Sequence, residues 1–281
     1  MDKKNTTSIF TVDVEEYYHA ENILNSIPPE KIRMLDSRVR IGTRRLLDLL
    51  SRHNSKATFF VLGCVGEKNP GMIKDIAAAG HEIASHGYEH IPLHRHTRET
   101  FDTDLGKSIK ILSDITGQKI IGYRATSFSL GAGMEWFFDI LKKYSIIYDS
   151  SFSLSLFRRH HRNLWKDVYT SQKNKGILEF PPSYISFGTF RLPIGGGYFR
   201  AYPLWMTKYG LDQVIPRRRT PPLFYIHPWE LDPAQPRFKI APLSHFRHYF
   251  NLSETEKKLQ RLLEDTRFIS VRDFLRTDTM R

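Results

Sequence analysis

The sequence has a single cysteine and no long hydrophobic run. Because Cys64 is the only cysteine in 281 residues, no disulfide can form within the chain, and the redox compartment is not constrained. No stretch approaches the roughly 20 apolar residues that a membrane-spanning helix needs. Residues 1–7 lead into a strand-like run without the apolar core of a signal peptide. We therefore expect a protein without a membrane span that resides in the cytoplasm.

Several enzyme signatures are also missing. The chain has no Gly-x-Ser-x-Gly nucleophile motif, no P-loop and no Rossmann glycine fingerprint. His81 and Glu82 begin like a zincin helix, but Ser85 occupies the position where that motif requires a second histidine. These absences argue against serine hydrolases of that type, against nucleotide-binding enzymes of those two folds and against zincin proteases.

Acidic residues are fewer than basic residues. The chain has 42 Lys and Arg against 30 Asp and Glu, which gives a formal net charge of +12. A basic surface attracts anionic partners, but the basic residues are largely dispersed, and no known nucleic-acid-binding module accompanies them. We interpret the excess as a solvated basic surface or as attraction to an acidic polymer, and we expect no nucleic-acid partner.

The chain does contain short apolar runs that alternate with amphipathic segments. β-branched and aromatic runs predict strands at residues 9–14, 57–62, 81–84, 119–123, 145–148, 177–180, 223–226 and 267–271. Apolar residues at helical spacing, together with capping residues, predict helices over 36–50, 70–80, 98–115, 134–144, 203–214 and 253–263. The Gly195–Gly197 run predicts a loop. This alternation favours parallel βαβ units.

Polar side chains follow several predicted strands at their C-terminal ends. They are Asp13, His86, Arg124, Asp149 and His227. In parallel barrels and open sheets, this edge is where active sites are built. The placement predicts one site at the C-terminal edge of the sheet.

The chemistry of these residues indicates hydrolysis. One carboxylate of Asp13 or Glu15, with His86 and His90, forms a facial triad that suits a metal ion. The other carboxylate could take a proton from water, Arg124 could pair with it, and His227 could protonate a leaving group. Each residue also has a structural explanation: a turn cap, a surface ion pair, or a histidine bonded to a backbone carbonyl.

Four segments resemble, in order and spacing, the motifs of the NodB-homology polysaccharide deacetylases (carbohydrate esterase family 4). These segments are Thr11–Glu15 (TVDVE), Ser85–His90 (SHGYEH), Tyr123–Phe128 (YRATSF) and Leu223–Pro228 (LFYIHP). A Gly-Gly-Gly-Tyr-Phe-Arg segment and a His-Pro-Trp-Glu segment resemble the subgroup found in exopolysaccharide loci of the exosortase/PEP-CTERM type.

The resemblance implies a fold, a cofactor and an activity. The fold is a distorted (β/α) barrel of about seven parallel strands, with one domain over 1–281, a barrel over about 7–232 and a C-terminal helical extension over about 233–281. The cofactor is a divalent metal, usually Zn²⁺. By position, Asp13 is the base, Arg124 its partner and His227 the acid, and the metal ligands are Glu15, His86 and His90.

Three departures from the family pattern matter. One is that Asp149-Ser150-Ser151 matches the fourth motif only loosely, which leaves open whether Asp149 orients Arg124 or a group on the metal side. The second acid of the first motif is Glu15, one residue further on than the usual Asp, which leaves Glu16 as a substitute ligand. Thr126 replaces a Pro that usually follows the motif arginine, so the loop that presents a backbone N–H to an oxyanion is less constrained.

Aromatic and basic residues outside these motifs are candidates for substrate binding. Tyr198, Phe199 and Trp229 could stack on pyranose rings or simply pack at the barrel mouth. Arg200 could steer an anionic polymer.

The sequence thus predicts a metal-dependent hydrolase that removes N-acetyl groups from amino sugars of a polysaccharide or its precursor, in exopolysaccharide biosynthesis. One alternative is hydrolysis of a non-sugar C–N bond, as in a cyclic amide or formamide. Another is a catalytically weak glycan-binding module.

Overall fold

The structure is a computed structural model that describes residues 7–131, 133–152, 176–187, 190–214 and 221–278. Within these ranges, none of the helices is both long enough and apolar enough to cross a bilayer.

Eight strands form one sheet in which every pairing is parallel. Its order is β10-β1-β2-β3-β4-β5-β6, and β9 also pairs with β1. The strands are β1 (Thr7–Val14), β2 (Thr58–Val61), β3 (Glu82–Ser85), β4 (Gly122–Tyr123), β5 (Tyr148–Asp149), β6 (Leu178–Glu179), β9 (Leu223–Ile226) and β10 (Arg267–Ile269). The predicted distorted (β/α) barrel with about seven parallel strands is confirmed.

An antiparallel hairpin lies outside this sheet. It consists of β7 (Tyr184–Phe187) and β8 (Phe190–Pro193). The sequence analysis did not predict it.

Helices lie between many of the strands in the described parts of the chain. They are α1 (Glu21–Leu24), α2 (Pro29–Arg33), α3 (Val39–Arg52), α4 (Gly63–Lys68), α5 (Pro70–Ala78), α6 (Arg98–Thr116), α7 (Glu135–Lys143), α8 (Gly196–Ala201), α9 (Leu204–Val214), α10 (Pro242–Tyr249), α11 (Leu252–Asp265) and α12 (Val271–Asp278). All six predicted helices are present. The glycine run differs from the prediction, because Gly196 and Gly197 begin α8 rather than a loop.

Helix α3 shows how a distant residue can cap a helix. Its first N–H groups, from Arg38 and Val39, donate to the Glu16 carboxylate at 2.9 and 3.1 Å. The hydroxyl of Ser37, the residue before Arg38, donates to the same carboxylate. The capping group therefore comes from the segment after β1, which ties the start of α3 to the end of that strand.

The C-terminal region contains more than a helical extension. Helices α10 to α12 are present, but β10 lies between two of them and pairs with the start of β1. The predicted boundary near residue 232 would therefore separate β10 from the sheet to which it belongs.

Aromatic packing joins these late strands to the first strand. The Phe10 ring lies 5.3 Å from that of Phe224 on β9 and 5.1 Å from that of Phe268 on β10. All three rings are buried. The N- and C-terminal parts of the chain consequently share one core.

Candidate active site

The predicted polar residues converge at the C-terminal edge of the sheet. β1 pairs with β2 and β9 so that Asp13 lies opposite Phe60, and Val12 lies opposite Ile226. Because all pairings are parallel, the residues that end β1 or follow β3, β4 and β9 reach the same edge. This edge carries Asp13, Glu15, His86, Arg124 and His227.

Glu15, His86 and His90 form a three-residue cluster. Their candidate ligand atoms all lie within 4.8 Å of one another. The two histidines lie on a loop rather than a helix, because Gly87 has a φ of +82°. Asp104 on α6 secures that loop by accepting hydrogen bonds from the Tyr88 and Glu89 backbone N–H groups at 2.7 and 3.1 Å.

The donor set of this cluster fits a divalent cation. Nδ1 of His86 donates a hydrogen bond to the carbonyl oxygen of Arg124 at 2.7 Å, so it carries the proton and leaves the lone pair of Nε2 available to bind a metal ion. Nε2 of His90 lies 2.8 Å from Oε2 of Glu15, but that buried oxygen has no hydrogen-bond partner. A buried carboxylate oxygen beside two imidazoles is a poor hydrogen-bonding arrangement and a good set of ligands for zinc.

The electrostatics of Glu15 agree with this fit. Burial alone would raise its pKa, but the nearby imidazoles of His90 and His227 lower the pKa well below its usual range. The carboxylate is therefore ionised at neutral pH, as a metal ligand must be. Glu16 is not available as a substitute ligand, because its carboxylate caps α3.

Asp13 is held by Arg124. Nη1 of Arg124 donates to Oδ1 of Asp13 at 2.6 Å, and both side chains are buried. The guanidinium also donates to Thr11 Oγ1 at 3.0 Å and to Ser150 Oγ at 2.8 and 3.2 Å. These contacts fix the orientation of the carboxylate and leave Oδ2 facing His227, at 3.9 Å from its Nε2.

Asp149, whose role the sequence left open, does not bond Arg124. Its carboxylate accepts a hydrogen bond from the Ser151 hydroxyl at 2.5 Å, and burial raises its pKa to about 6. The neighbouring Ser150 is the residue that contacts the guanidinium.

His227 sits between carboxylates. Its Nδ1 bonds Oε2 of Glu230 at 2.9 Å, and its Nε2 lies 3.1 Å from Oε1 of Glu15. Burial disfavours the charged imidazolium, but Glu15, Glu230 and Asp13 outweigh it and raise the pKa of His227 to about 9. A cation on Glu15 would offset part of this rise. The imidazole thus bonds a carboxylate, and not a backbone carbonyl.

Comparison with known proteins agrees with this geometry. A family profile described as polysaccharide deacetylase matches residues 34–133, a segment that includes both histidines of the cluster and Arg124. The chain carries a polysaccharide deacetylase domain of the NodB-homology family. Residues 157–276 match a second profile, a domain of unknown function (DUF3473).

Relatives of the deacetylase domain share a limited segment of it. A peptidoglycan-N-acetylglucosamine deacetylase, PgdA, of Listeria monocytogenes is 40% identical over 75 residues, which are 27% of this chain and 16% of the relative. A peptidoglycan deacetylase of Helicobacter pylori is 35% identical over 85 residues, 30% of this chain and 29% of the relative. The matches span less than a third of these curated relatives.

The fold also has a counterpart among solved structures. A Mycobacterium smegmatis protein assigned to the polysaccharide deacetylases superposes with a TM-score of 0.58 at 21% identity, covering 97% of this chain and 90% of the other. This likeness shows a shared fold.

A cavity of about 350 Å³ opens onto the site of the deacetylase domain. Its floor carries Asp13, Glu15 and the two cluster histidines, and its wall includes Gly197 and Arg247.

The predicted substrate-binding aromatic residues are less available to a sugar than the sequence suggests. Phe199 is fully buried and packs edge-on against Phe224, so its ring is not available to a sugar. Trp229 lines the cavity but is buried, and its ring stacks on His227 at 5.1 Å and on His248 at 4.4 Å, which leaves little of the indole available to a sugar. Tyr198 is 41% exposed and is not among the residues that line the cavity.

Arg200, which the sequence suggested could steer an anionic polymer, is among the residues that line the cavity, but its charge is paired. Its guanidinium is buried and bonds Glu230 at 2.7 Å. The charge of Arg200 is therefore engaged by the Glu230 carboxylate.

Two residues of the site have no predicted role. They are Glu230, which bonds His227, and Ser150, which bonds Arg124. The Glu230 signal was present in the sequence as the His-Pro-Trp-Glu segment, since a carboxylate three residues after a histidine in a tight turn can reach its ring. No local pattern distinguishes Ser150 from Ser151.

Proposed function

We propose that the protein is a zinc-dependent N-deacetylase that acts on N-acetylated amino sugars of a polysaccharide or its precursor. One observation supports this most directly: the Asp13–Arg124 pair and His227 flank the Glu15, His86 and His90 cluster in one cavity. In a polysaccharide deacetylase domain, this arrangement offers a base, an acid and a cation site next to one another for the hydrolysis of an amide.

The chain's own residues divide the work of amide hydrolysis. A zinc ion held by Glu15, His86 and His90 would supply a Lewis acid for the acetyl carbonyl and would lower the pKa of water. Oδ2 of Asp13 takes the proton of the attacking water, because Oδ1 is already engaged by Arg124. Nε2 of His227, protonated at neutral pH, gives a proton to the departing amine nitrogen.

The substitution Asp13→Asn tests the base. We expect it to reduce acetate release from N-acetylglucosamine oligomers by about 100-fold or more, since general base catalysis contributes on the order of 10²–10⁴. Zinc content, measured on the purified protein, should stay at the wild-type level because Asp13 is not one of the three ligands. Wild-type acetate release by this variant would remove Asp13 from the base role.

A substrate panel separates the proposed function from its alternatives. Activity on small cyclic amides with none on chitooligomers would favour a non-sugar C–N hydrolase. Glycan binding that persists without metal, and with no acetate release, would favour a binding module. The role in exopolysaccharide biosynthesis and the cytoplasmic location stay predictions from the sequence.

A further inference from the structure

The two profile matches meet in one active site. Residues 34–133 supply His86, His90 and Arg124, whereas residues 157–276, the domain of unknown function, supply Arg200, His227 and Glu230. We infer that this second segment is the acid half of the active site, in which Arg200 and Glu230 are positioning residues for His227. The inference rests on the proposed function and assigns its acid step to a defined structural unit.

The first argument is the place of β9 in the sheet. β9 lies parallel to β1, with Tyr225 opposite Thr11 and Ile226 opposite Val12. The next residue, His227, is thereby delivered beside Asp13 at the same edge. The acid histidine therefore owes its position to a strand that lies wholly within the segment of unknown function.

The second argument is that Glu230 accepts two hydrogen bonds from His227. Oε2 of Glu230 accepts hydrogen bonds from the backbone N–H of His227 at 3.0 Å and from its Nδ1 at 2.9 Å. Because Nδ1 is occupied by a carboxylate, the opposite nitrogen, Nε2, must face the cavity. Glu230 thus sets the ring orientation of His227 and holds the proton of its Nδ1.

The third argument is the environment of Arg200. Its Nε donates to Oε1 of Glu230 at 2.7 Å. Its terminal nitrogens donate to the carbonyl oxygens of Arg247, His248 and Phe250 at 2.9, 3.0 and 2.6 Å. These carbonyls lie at the C-terminus of α10, where the helix dipole favours a cation. Arg200 therefore links α10 to the carboxylate that holds the acid histidine.

The glycine run makes this link possible. A Cβ on Gly195 would lie 2.3 Å from the Tyr225 ring, and one on Gly196 would lie 2.9 Å from it. Only residues without a side chain let the start of α8 approach β9 this closely. The close approach brings Arg200, at the end of α8, within reach of Glu230.

The pair has a matched control on the same turn. The 3₁₀ helix Pro228–Leu231 carries Glu230, and Asp232 follows it. Arg38 makes a two-point ion pair with Asp232, at 2.6 and 2.9 Å, without contacting His227. Arg200→Gln and Arg38→Gln therefore each remove the arginine of one ion pair at the two ends of this turn, Arg200 being buried and Arg38 partly exposed, and only the first touches the proposed link.

The experiment compares the zinc-loaded wild type with Arg200→Gln, Glu230→Gln and Arg38→Gln. For Arg200→Gln and Glu230→Gln we expect kcat for acetate release from N-acetylglucosamine oligomers to fall roughly 10- to 100-fold, as misplaced catalytic groups do. KM and zinc affinity should stay within about threefold. Arg38→Gln should retain the wild-type kcat. A folded Arg200→Gln or Glu230→Gln protein with wild-type kcat, or an equal loss in Arg38→Gln, would overturn the inference.

Two further measurements guard against misfolding and against an inactive wild type. The double variant Arg200→Gln/Glu230→Gln leaves no unpaired buried charge, and it should fold and show the same loss. The proton on Nδ1 of His227 should give a slowly exchanging low-field NMR signal in the wild type and in Arg38→Gln, assigned by its loss in His227→Gln. Retention of that signal in Arg200→Gln and Glu230→Gln would reject the positioning role. If the wild type proves to have no deacetylase activity, loss of the signal in these two variants and not in Arg38→Gln would still support the positioning role. Only the proposed activity would then be rejected.

Discussion

Single residues at this site are bound into a buried ion-pair network. Arg124 is fully buried and is the only cation within salt-bridge distance of Asp13, apart from His227, among the described residues. Its guanidinium carbon also lies 4.1 Å above the Phe60 ring centroid. An arginine this enclosed serves to hold its carboxylate partner and does not contact bulk solvent.

Arg124→Met tests this dependence. Removing Arg124 leaves the buried Asp13 carboxylate without its hydrogen-bonded partner and with only His227, at 3.9 Å, to compensate its charge. We expect this to destabilise the fold by about 3–5 kcal/mol in denaturant unfolding. The double variant Arg124→Met/Asp13→Asn should recover most of that stability, because no charge remains unpaired. Both variants should lack deacetylase activity. Equal unfolding free energies for the single and double variants would contradict the argument.

Residue types at strand ends were predictable, but their partners were not. Asp13, His86 and Arg124 follow apolar runs, so a parallel sheet must bring them together. The Ser150 and Glu230 contacts depend on side-chain directions at the ends of two different strands, which periodicity does not encode. The burial of Phe199 follows from the α8 helix that replaces the predicted glycine loop.

At the scale of elements, helix α3 is packed unusually close to the turn that follows His227. A Cβ on Gly42, near the start of α3, would lie 1.8 Å from the Pro228 carbonyl oxygen. Backbone atoms cannot yield as a flexible side chain can. Helix α3 is therefore in contact with two parts of the site: it is capped by Glu16, next to the proposed ligand Glu15, and it packs against the turn that follows His227.

Gly42→Ala should force helix and turn apart. We expect a loss of roughly 1–3 kcal/mol of unfolding free energy, the usual cost of overpacking, together with lower kcat, because the turn carries Glu230. Gly71→Ala is the control, since Gly71 also lies in a helix and a methyl group added there would meet no atom within 4 Å. Undiminished stability and kcat in Gly42→Ala would show that the contact is not rigid.

Helices were predictable where the sequence contains residues that cap or terminate them. Thr97 caps α6 by accepting from the Thr100 N–H, and Gly117 ends the helix at a φ of +66°, as the sequence indicates. Strands β4, β5 and β6 are shorter than predicted, because only two residues of each apolar run pair with neighbours. Short helices such as α1 and α2 lack a periodic face long enough to recognise.

For the whole molecule, a buried histidine far from the active site predicts acid sensitivity. Nδ1 of His81 accepts a hydrogen bond from the Ala57 backbone N–H at 3.2 Å. Burial, and secondarily the charge of Lys56, lowers the pKa of His81 to about 4, against a small opposing effect of Asp273. The native protein therefore binds fewer protons than the unfolded chain between about pH 6.5 and pH 4.

The contribution of His81 to the free energy of unfolding should be fully present above about pH 6.5 and should be lost progressively as the pH falls toward 4. The total loss is on the order of 3 kcal/mol. His81→Asn keeps an acceptor near the Nδ1 position but does not titrate. In denaturant unfolding between pH 7 and pH 4, this variant should show a shallower decline than the wild type. Parallel curves for the two proteins would exclude His81 as a source of acid sensitivity.

The position of β1 has a consequence for synthesis on the ribosome. The hydrogen bond from Thr11 to Phe224 spans 213 residues, and β1 finds its β10 partner later still. A nascent chain therefore emerges with its first strand paired on one side only, and such long-range pairing is slow to form. Until β9 is translated, an unpaired strand edge is exposed to other nascent chains, so newly made protein should depend on chaperones that shield it.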